Sequence, residues 1–145
     1  MKLRRDVKFI IKGKPVPWMR AGRHGKKYFD RQSEKKKRLR AILFEQLVNQ
    51  EMITGPLKLT IEFHMVIPAS WSKIKATRAL KTPHSTIPDL DNLVKFVNDA
   101  LNEVLWKDDA LIYELNARKF YSEEPMTLFY IEPFVPSVPF VPEYY

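Results

Sequence analysis

The sequence predicts a mixed α/β fold of the α+β kind: one small domain in which a mixed or antiparallel sheet of about four strands packs against two main helices. Three observations predict it. Residues 57–67, LKLTIEFHMVI, alternate apolar and polar, so Leu57, Leu59, Ile61, Phe63, Met65 and Ile67 share one face of a strand. From Asp89 onward the apolar residues recur at helical spacing instead, at Leu90, Leu93, Val94, Val97, Leu101, Val104 and Leu105. Two further runs rich in β-branched and aromatic residues, 110–121 and 126–133, flank Glu123-Glu124-Pro125 and read as a hairpin.

The remaining elements follow in order. VKFIIK at 7–12 has strand composition. Residues 13–30 hold three glycines, two prolines and repeated cations, which predicts a basic loop or irregular hairpin. A helix begins at Ser33, whose hydroxyl is placed to cap it, and runs to about Glu51. Leu39, Ile42, Leu43, Phe44 and Leu47 supply its buried face, while Lys35, Lys36, Lys37, Arg38 and Arg40 crowd its first turns. Cations there oppose the helix dipole, which either a neighbouring phosphate or simple solvation offsets. Thr54-Gly55-Pro56 marks a turn. His64, on the polar face of the strand after it, reads as a solvated residue and not a ligand.

Residues 68–88 show no clean period and read as a long basic loop. Trp71, between two serines, either stacks on a base or sugar or pins that loop to the core. Pro88 and the N-cap Asp89 open a second helix of about 15 residues. The domain is expected to span 1–132. After it, prolines at 133, 136, 139 and 142 give a three-residue repeat that matches polyproline II. Such an apolar tail packs on the domain or a partner subunit, or recruits another protein.

Composition narrows the function. With no cysteine, disulfides, thiolate zinc sites and thiol catalysis are excluded. No apolar run approaches the roughly 20 residues that span a bilayer, and the start MKLRRDVKFIIK is too charged for a signal peptide. The expected location is cytoplasmic, with no membrane partner. Net charge is +8 and unevenly placed: residues 1–40 hold 16 Lys and Arg against three acids, and residues 41–145 hold nine against 14. A concentrated basic region beside acidic residues points to a polyanion such as nucleic acid, with divalent metal held nearby.

The acids gather in PDLDNLVKFVNDALNEVLWKDD, residues 88–109. Asp91, Lys95, Asn98 and Asn102 are spaced by about one helical turn and form a polar stripe, over which Asp89 leans from the cap. Neighbouring carboxylates repel unless a cation intervenes. A 15-residue helix is roughly 22 Å long, so Asp108 and Asp109 join the first two acids only if the fold or a second subunit brings them there. If they converge, oxygen-only ligands suit Mg²⁺, with Mn²⁺ able to substitute. Lys95 then suits charge stabilisation on a phosphate better than proton abstraction. The alternative is a capped amphipathic helix with surface acids. A calcium loop fails because the fifth position is Leu93 and no glycine follows it.

This string resembles the signature of RusA-type Holliday junction resolvases. PASWSKIK upstream and the early GKPVP with later arginines are similar to the phage and Gram-positive branch, and the likeness covers about Lys8 to Tyr130. The resemblance implies a bacterial or phage-encoded homodimer that nicks four-way DNA junctions symmetrically with Mg²⁺. It implies that Asp89, Asp91 and Asp109 are the catalytic, metal-binding aspartates, that Lys95 is the essential lysine, that Asp108 assists at the metal, and that Asn92 supports the site. Asp99 belongs to the same string, with no role legible. Four departures stand out: Ile87 replaces a lysine common before P-D, Trp18 and Met19 occupy a stretch usually more basic, Glu103 replaces a common glycine, and the Pro-repeat tail at 133–145 lies outside the shared pattern.

The expected function is therefore Mg²⁺-dependent cleavage of branched DNA. Lys14, Arg20, Arg23, Lys26, Lys27 and Arg31 on one basic surface, and Trp71, Lys73, Lys75 and Arg78 on another, are the candidate contacts to phosphate and base. The competing reading is a non-catalytic DNA-binding or recombination accessory protein whose acids are structural. A nuclease built on a short (D/E)-x-K core is disfavoured, because no such triplet follows Asp89 at the right place.

Overall fold

A computed structural model of the chain describes residues 6–136. Its element order is β1 (Val7–Lys12), β2 (Gly22–His24), β3 (Lys27–Phe29), α1 (Ser33–Gln46), β4 (Leu57–Val66), α2 (Lys73–Ala79), α3 (Leu90–Leu101), β5 (Ile112–Ser122) and β6 (Met126–Pro133). One four-stranded mixed sheet has the order β1-β6-β4-β5, and β2 and β3 form a small separate hairpin turned at Gly25. Among the described residues no helix is long and apolar enough to cross a membrane.

β4 behaves as its alternation predicts: Leu57, Leu59, Ile61, Phe63 and Met65 are all buried, while Ile67 falls just past its end. Burying that face beside α3 places Leu93, Val94, Phe96, Val97, Ala100 and Leu101 in the same core, which Phe129 and Ile131 of β6 and Phe9 of β1 extend across the sheet. Phe9 and Phe129 stack at 4.3 Å between centroids across the β1–β6 pair.

The expected hairpin of 110–121 with 126–133 does not form. β5 pairs in parallel with β4, and β6 pairs antiparallel with β4 on its other side. The 123–125 link therefore passes the end of β4 without folding β6 back on β5. Burial explains the outcome: β6 hides every second residue as an interior strand does, whereas β5 is exposed from Tyr113 to Asn116 and takes the edge.

Helix boundaries also differ from expectation. α1 stops at Gln46, not near Glu51, and only Leu39 and Leu43 are buried on it; Phe44 faces solvent. Ser33 does not cap it. The N-cap is Gln32, which gives no side-chain cap bond because that side chain is used elsewhere. The lysines crowding the first turn find acids within the chain: Lys36 bonds Asp30 at 2.8 Å, and Lys37 lies 3.5 Å from Glu34. The Lys36 ammonium, with the Gln32 N–H, holds the Asp30 carboxyl below its ordinary value.

The 68–88 segment is not all loop. Ser72 accepts from the Lys75 N–H at 3.2 Å and starts α2, a seven-residue helix with no buried residue. Beyond it, Thr82 and His84 hydrogen-bond to Tyr121 and Lys119, so 81–84 covers the far end of the β5 edge. The tail follows β6 with Phe134 N donating to Pro56 O at 2.8 Å; the prolines at 139 and 142 lie outside the described residues.

Candidate nuclease site

α3 is 12 residues long, shorter than expected, and Asp89 is its N-cap by backbone conformation without a side-chain cap bond. Two latches fix the approach to it. Lys119, on β5, donates from Nζ to the carbonyls of Thr86 and Pro88, the latter at 2.7 Å. Trp18 N donates to Asn92 O at 2.9 Å, which ties the 13–21 segment to the first turn of α3.

Three of the four residues of the expected polar stripe lie on α3 and open to one groove; Asn102 falls past the helix end as its C-cap. Asp91, Lys95 and Asn98 line one groove, whose opposite wall is Leu115 and Ala117 of β5. Asp109 reaches the same groove, so the fold answers the separation of the helix ends. The chain doubles back after Leu101 and begins a 3-10 turn at Asp109–Leu111. Asn102 Oδ1 accepts from Asp109 N at 3.0 Å, and the buried Trp106 donates from Nε1 to Asp109 Oδ1 at 2.7 Å. Burial pushes the Asp109 carboxyl above its ordinary value; the Trp106 bond works against that, and Asp99 and Asp108 add to it.

Not every expected site residue meets there. Asp89 lines the adjoining depression, with Lys14, Trp18, His84 and Asn92. Asp108 is exposed and caps the 3-10 turn, accepting from Ala110 N at 3.0 Å. Among the described residues no three acidic or histidine side chains stand close enough to hold a metal ion. Asp99, without a legible role in the sequence, lines the groove beside Asp109. Asn98 Oδ1 is buried there without a hydrogen-bond partner.

The basic candidates divide as their elements do. Arg23, Lys26 and Lys27 lie exposed on the β2–β3 hairpin, with Arg20 and Arg31 exposed at its flanks. Lys73, Lys75 and Arg78 are exposed on α2. Trp71 is half-buried, 5.2 Å from the Tyr121 ring, and carries the Lys75 ammonium 4.1 Å over its own. Burial and Lys119 hold the nearby His84 imidazole below its ordinary value. A more enclosed cavity of about 430 Å³ lies under the 11–17 segment against Phe63, Phe96 and Phe129. No acid lines it, so it does not suit metal chemistry.

Sequence reasoning missed two structural participants. Trp106 sits inside the motif, but nothing in the apolar periodicity marks its indole as the donor to Asp109. Trp18, noted only as a departure, places its ring 3.5 Å from the Lys95 Nζ. The third departure has a backbone consequence: Glu103 follows the C-cap Asn102 with φ 63°, the left-handed conformation that glycine adopts without strain.

Two comparisons bear on identity. A family model described as Endodeoxyribonuclease RusA matches residues 12–132. An uncharacterized protein of Bacillus subtilis (strain 168), YqaN, is 37% identical over 129 residues, covering 82% of this chain and 90% of that protein. With the match spanning β4, α3 and both ends of the acidic groove, the chain belongs to the RusA endodeoxyribonuclease family.

Proposed function

We propose that the chain is a Mg²⁺-dependent, structure-selective endodeoxyribonuclease that resolves four-way junctions as a homodimer, by paired symmetric nicks. The observation that carries this reading is the groove where α3 and the 3-10 turn bring Asp91, Lys95 and Asp109 together in a member of this family. Its donors are all oxygens, and one of them, Asn98 Oδ1, is buried and unpartnered; that set fits Mg²⁺ or Mn²⁺. Asp91 and Asp109 would hold the ion, with Asp99 lining the same groove, while Asp89 approaches from the adjoining depression and Asp108 from the exposed cap of the 3-10 turn. When bound, the ion supplies Lewis-acid stabilisation of charge building on the phosphate.

The chain's own groups do the rest. Lys95 presents a positive charge to the reacting phosphate. Asn92 keeps the first turn of α3 in place through its carbonyl bond to Trp18. Trp106 orients Asp109. The cations of the β2–β3 hairpin and its flanks, with those of α2, bind the junction arms through phosphates and read shape before sequence, and Lys14 does so beside Asp89. Trp71 offers a stacking surface.

Two cuts require two sites, and a two-fold protein matches a two-fold junction. The outer edge of β5 supports a dimer: from Ile112 to Arg118 it has no strand neighbour among the described residues, and Tyr113 is exposed along it.

The test is cleavage of a mobile four-way junction against linear duplex, with and without Mg²⁺, by the wild type and Asp91→Asn. Paired nicks on the junction alone, only with metal and only by the wild type, are the expected result. Tight binding without cleavage in either Mg²⁺ or Mn²⁺ would replace the enzyme reading with that of an accessory DNA-binding protein.

A further inference from the structure

Lys95 is exposed, and among the described residues no carboxylate lies within salt-bridge distance of it. A free lysine side chain carries about 2 kcal/mol of rotamer entropy, so a charge expected to act at one point needs something to hold it. The structure sets the Trp18 ring against it, 3.5 Å from Nζ to the centroid.

That ring is a fixed platform. The Trp18 N–H is bonded to Asn92 O on the first turn of α3 at 2.9 Å. On either side of it, Met19 N donates to Gln32 Oε1 at 2.9 Å and Gln32 Nε2 donates to Pro17 O at 2.8 Å. Gln32 itself is 1% exposed. The segment is thus pinned to α1 and α3 at once, and the indole packs on the core. Trp18 lines the depression that holds Asp89, and Lys95 lines the groove that holds Asp91 and Asp109, so the pair links the depression to the groove.

The chemistry of the partner matters. A carboxylate would hold the ammonium but cancel most of its field. An indole face holds a cation through its quadrupole and leaves the net charge in place. We propose that Trp18 is a positioning residue for the cleavage reaction, keeping the Lys95 ammonium at the groove that Asp91 and Asp109 line without neutralising it. This rests on the role given to Lys95 above. Trp18 acts through Lys95, with no substrate contact assigned to it.

The experiment measures single-turnover cleavage and, separately, junction affinity in metal-free buffer for Trp18→Tyr, Trp18→Phe, Trp18→Leu and Lys95→Gln. Losing the aromatic face in Trp18→Leu is expected to slow cleavage about tenfold while affinity holds, with tyrosine and phenylalanine each restoring part of the rate. In a Lys95→Gln background, Trp18→Leu should change the residual rate no further. Equal rates for leucine and wild type, equal losses for leucine, phenylalanine and tyrosine, or a loss confined to affinity would each overturn the proposal. Should Trp18→Leu fail to fold, a phenylalanine variant at least as fast as wild type would overturn it just as well. Full activity of Lys95→Gln would instead remove the role given to Lys95, whereas an inactive Lys95→Gln beside fully active Trp18 variants removes only the positioning.

Discussion

Replacing Trp106 by phenylalanine keeps an aromatic ring in the core and deletes one donor. The side chain is 0% exposed, and its Nε1 is 2.7 Å from Asp109 Oδ1. A hydrogen bond to an ionised acceptor is worth about 1.5–3 kcal/mol; Asp109 faces the open groove, so the lower half of that range applies. The smaller ring gives up roughly 40 Å² of buried apolar surface, about 1 kcal/mol. Trp106→Phe should therefore cost about 2.5–3.3 kcal/mol and lower Tm by roughly 6–10 °C, a loss that a domain with about 5–15 kcal/mol of stability survives.

The substitution also has a pH signature. Asp109 sits above its ordinary value of 3.8 in the folded chain, so the fold binds that proton more tightly than the unfolded chain does. Its contribution to stability is complete below the unfolded value and is lost as pH rises through the folded one. Trp106 is the one cause pulling the folded value down. Without it the value rises further, and the cost of Trp106→Phe should be largest near neutral pH and shrink on acidification. Urea unfolding of both proteins in EDTA, at about pH 7 and about pH 4, measures this. In an Asp109→Asn background the pH dependence of the cost should vanish. A cost that is constant with pH, or that grows in acid, would refute the account of this bond.

Gln32→Ala leaves Met19 N and Pro17 O without their partner and should cost about 2–4 kcal/mol in chemical denaturation. Because the lost bonds pin Trp18, cleavage should fall while junction affinity changes little. Glu103→Gly relieves the left-handed backbone after the α3 C-cap and should add about 1 kcal/mol with no change in cleavage rate, read as a higher urea midpoint at constant slope.

Local periodicity made the core legible. Leu57 to Met65 and Leu93 to Leu101 announce their buried faces because each face repeats with the period of its own backbone. The strand neighbours were not legible. Two strand-like runs separated by Glu123-Glu124-Pro125 satisfy hairpin chemistry, and only the exposure of Tyr113 to Asn116 against the regular burial of β6 tells an edge strand from an interior one. α2 escaped notice because it has seven residues and buries none, so it leaves no apolar stripe to read. At the site, Asp91 and Lys95 followed from helical spacing, but Asp109 depended on the chain reversing after Leu101. That reversal is held by Asn102 and Trp106, and a linear reading assigns neither side chain to an acid seven or three residues onward.

The place of β6 has a consequence for biosynthesis. It is the last of the described strands to leave the ribosome, yet it lies between β1, the first of them, and β4, and it buries Thr127, Phe129 and Ile131. Until residues 126–133 emerge, β1 and β4 share no neighbour, and the acidic motif made earlier has no completed sheet behind it. Pairing the first strand with the last also makes the sheet wait on contacts spanning almost the whole domain, which slows folding. A nascent chain therefore carries every acid of its groove before it carries the strand that completes the sheet behind them, and the groove is aligned only after residues 126–133 have been made.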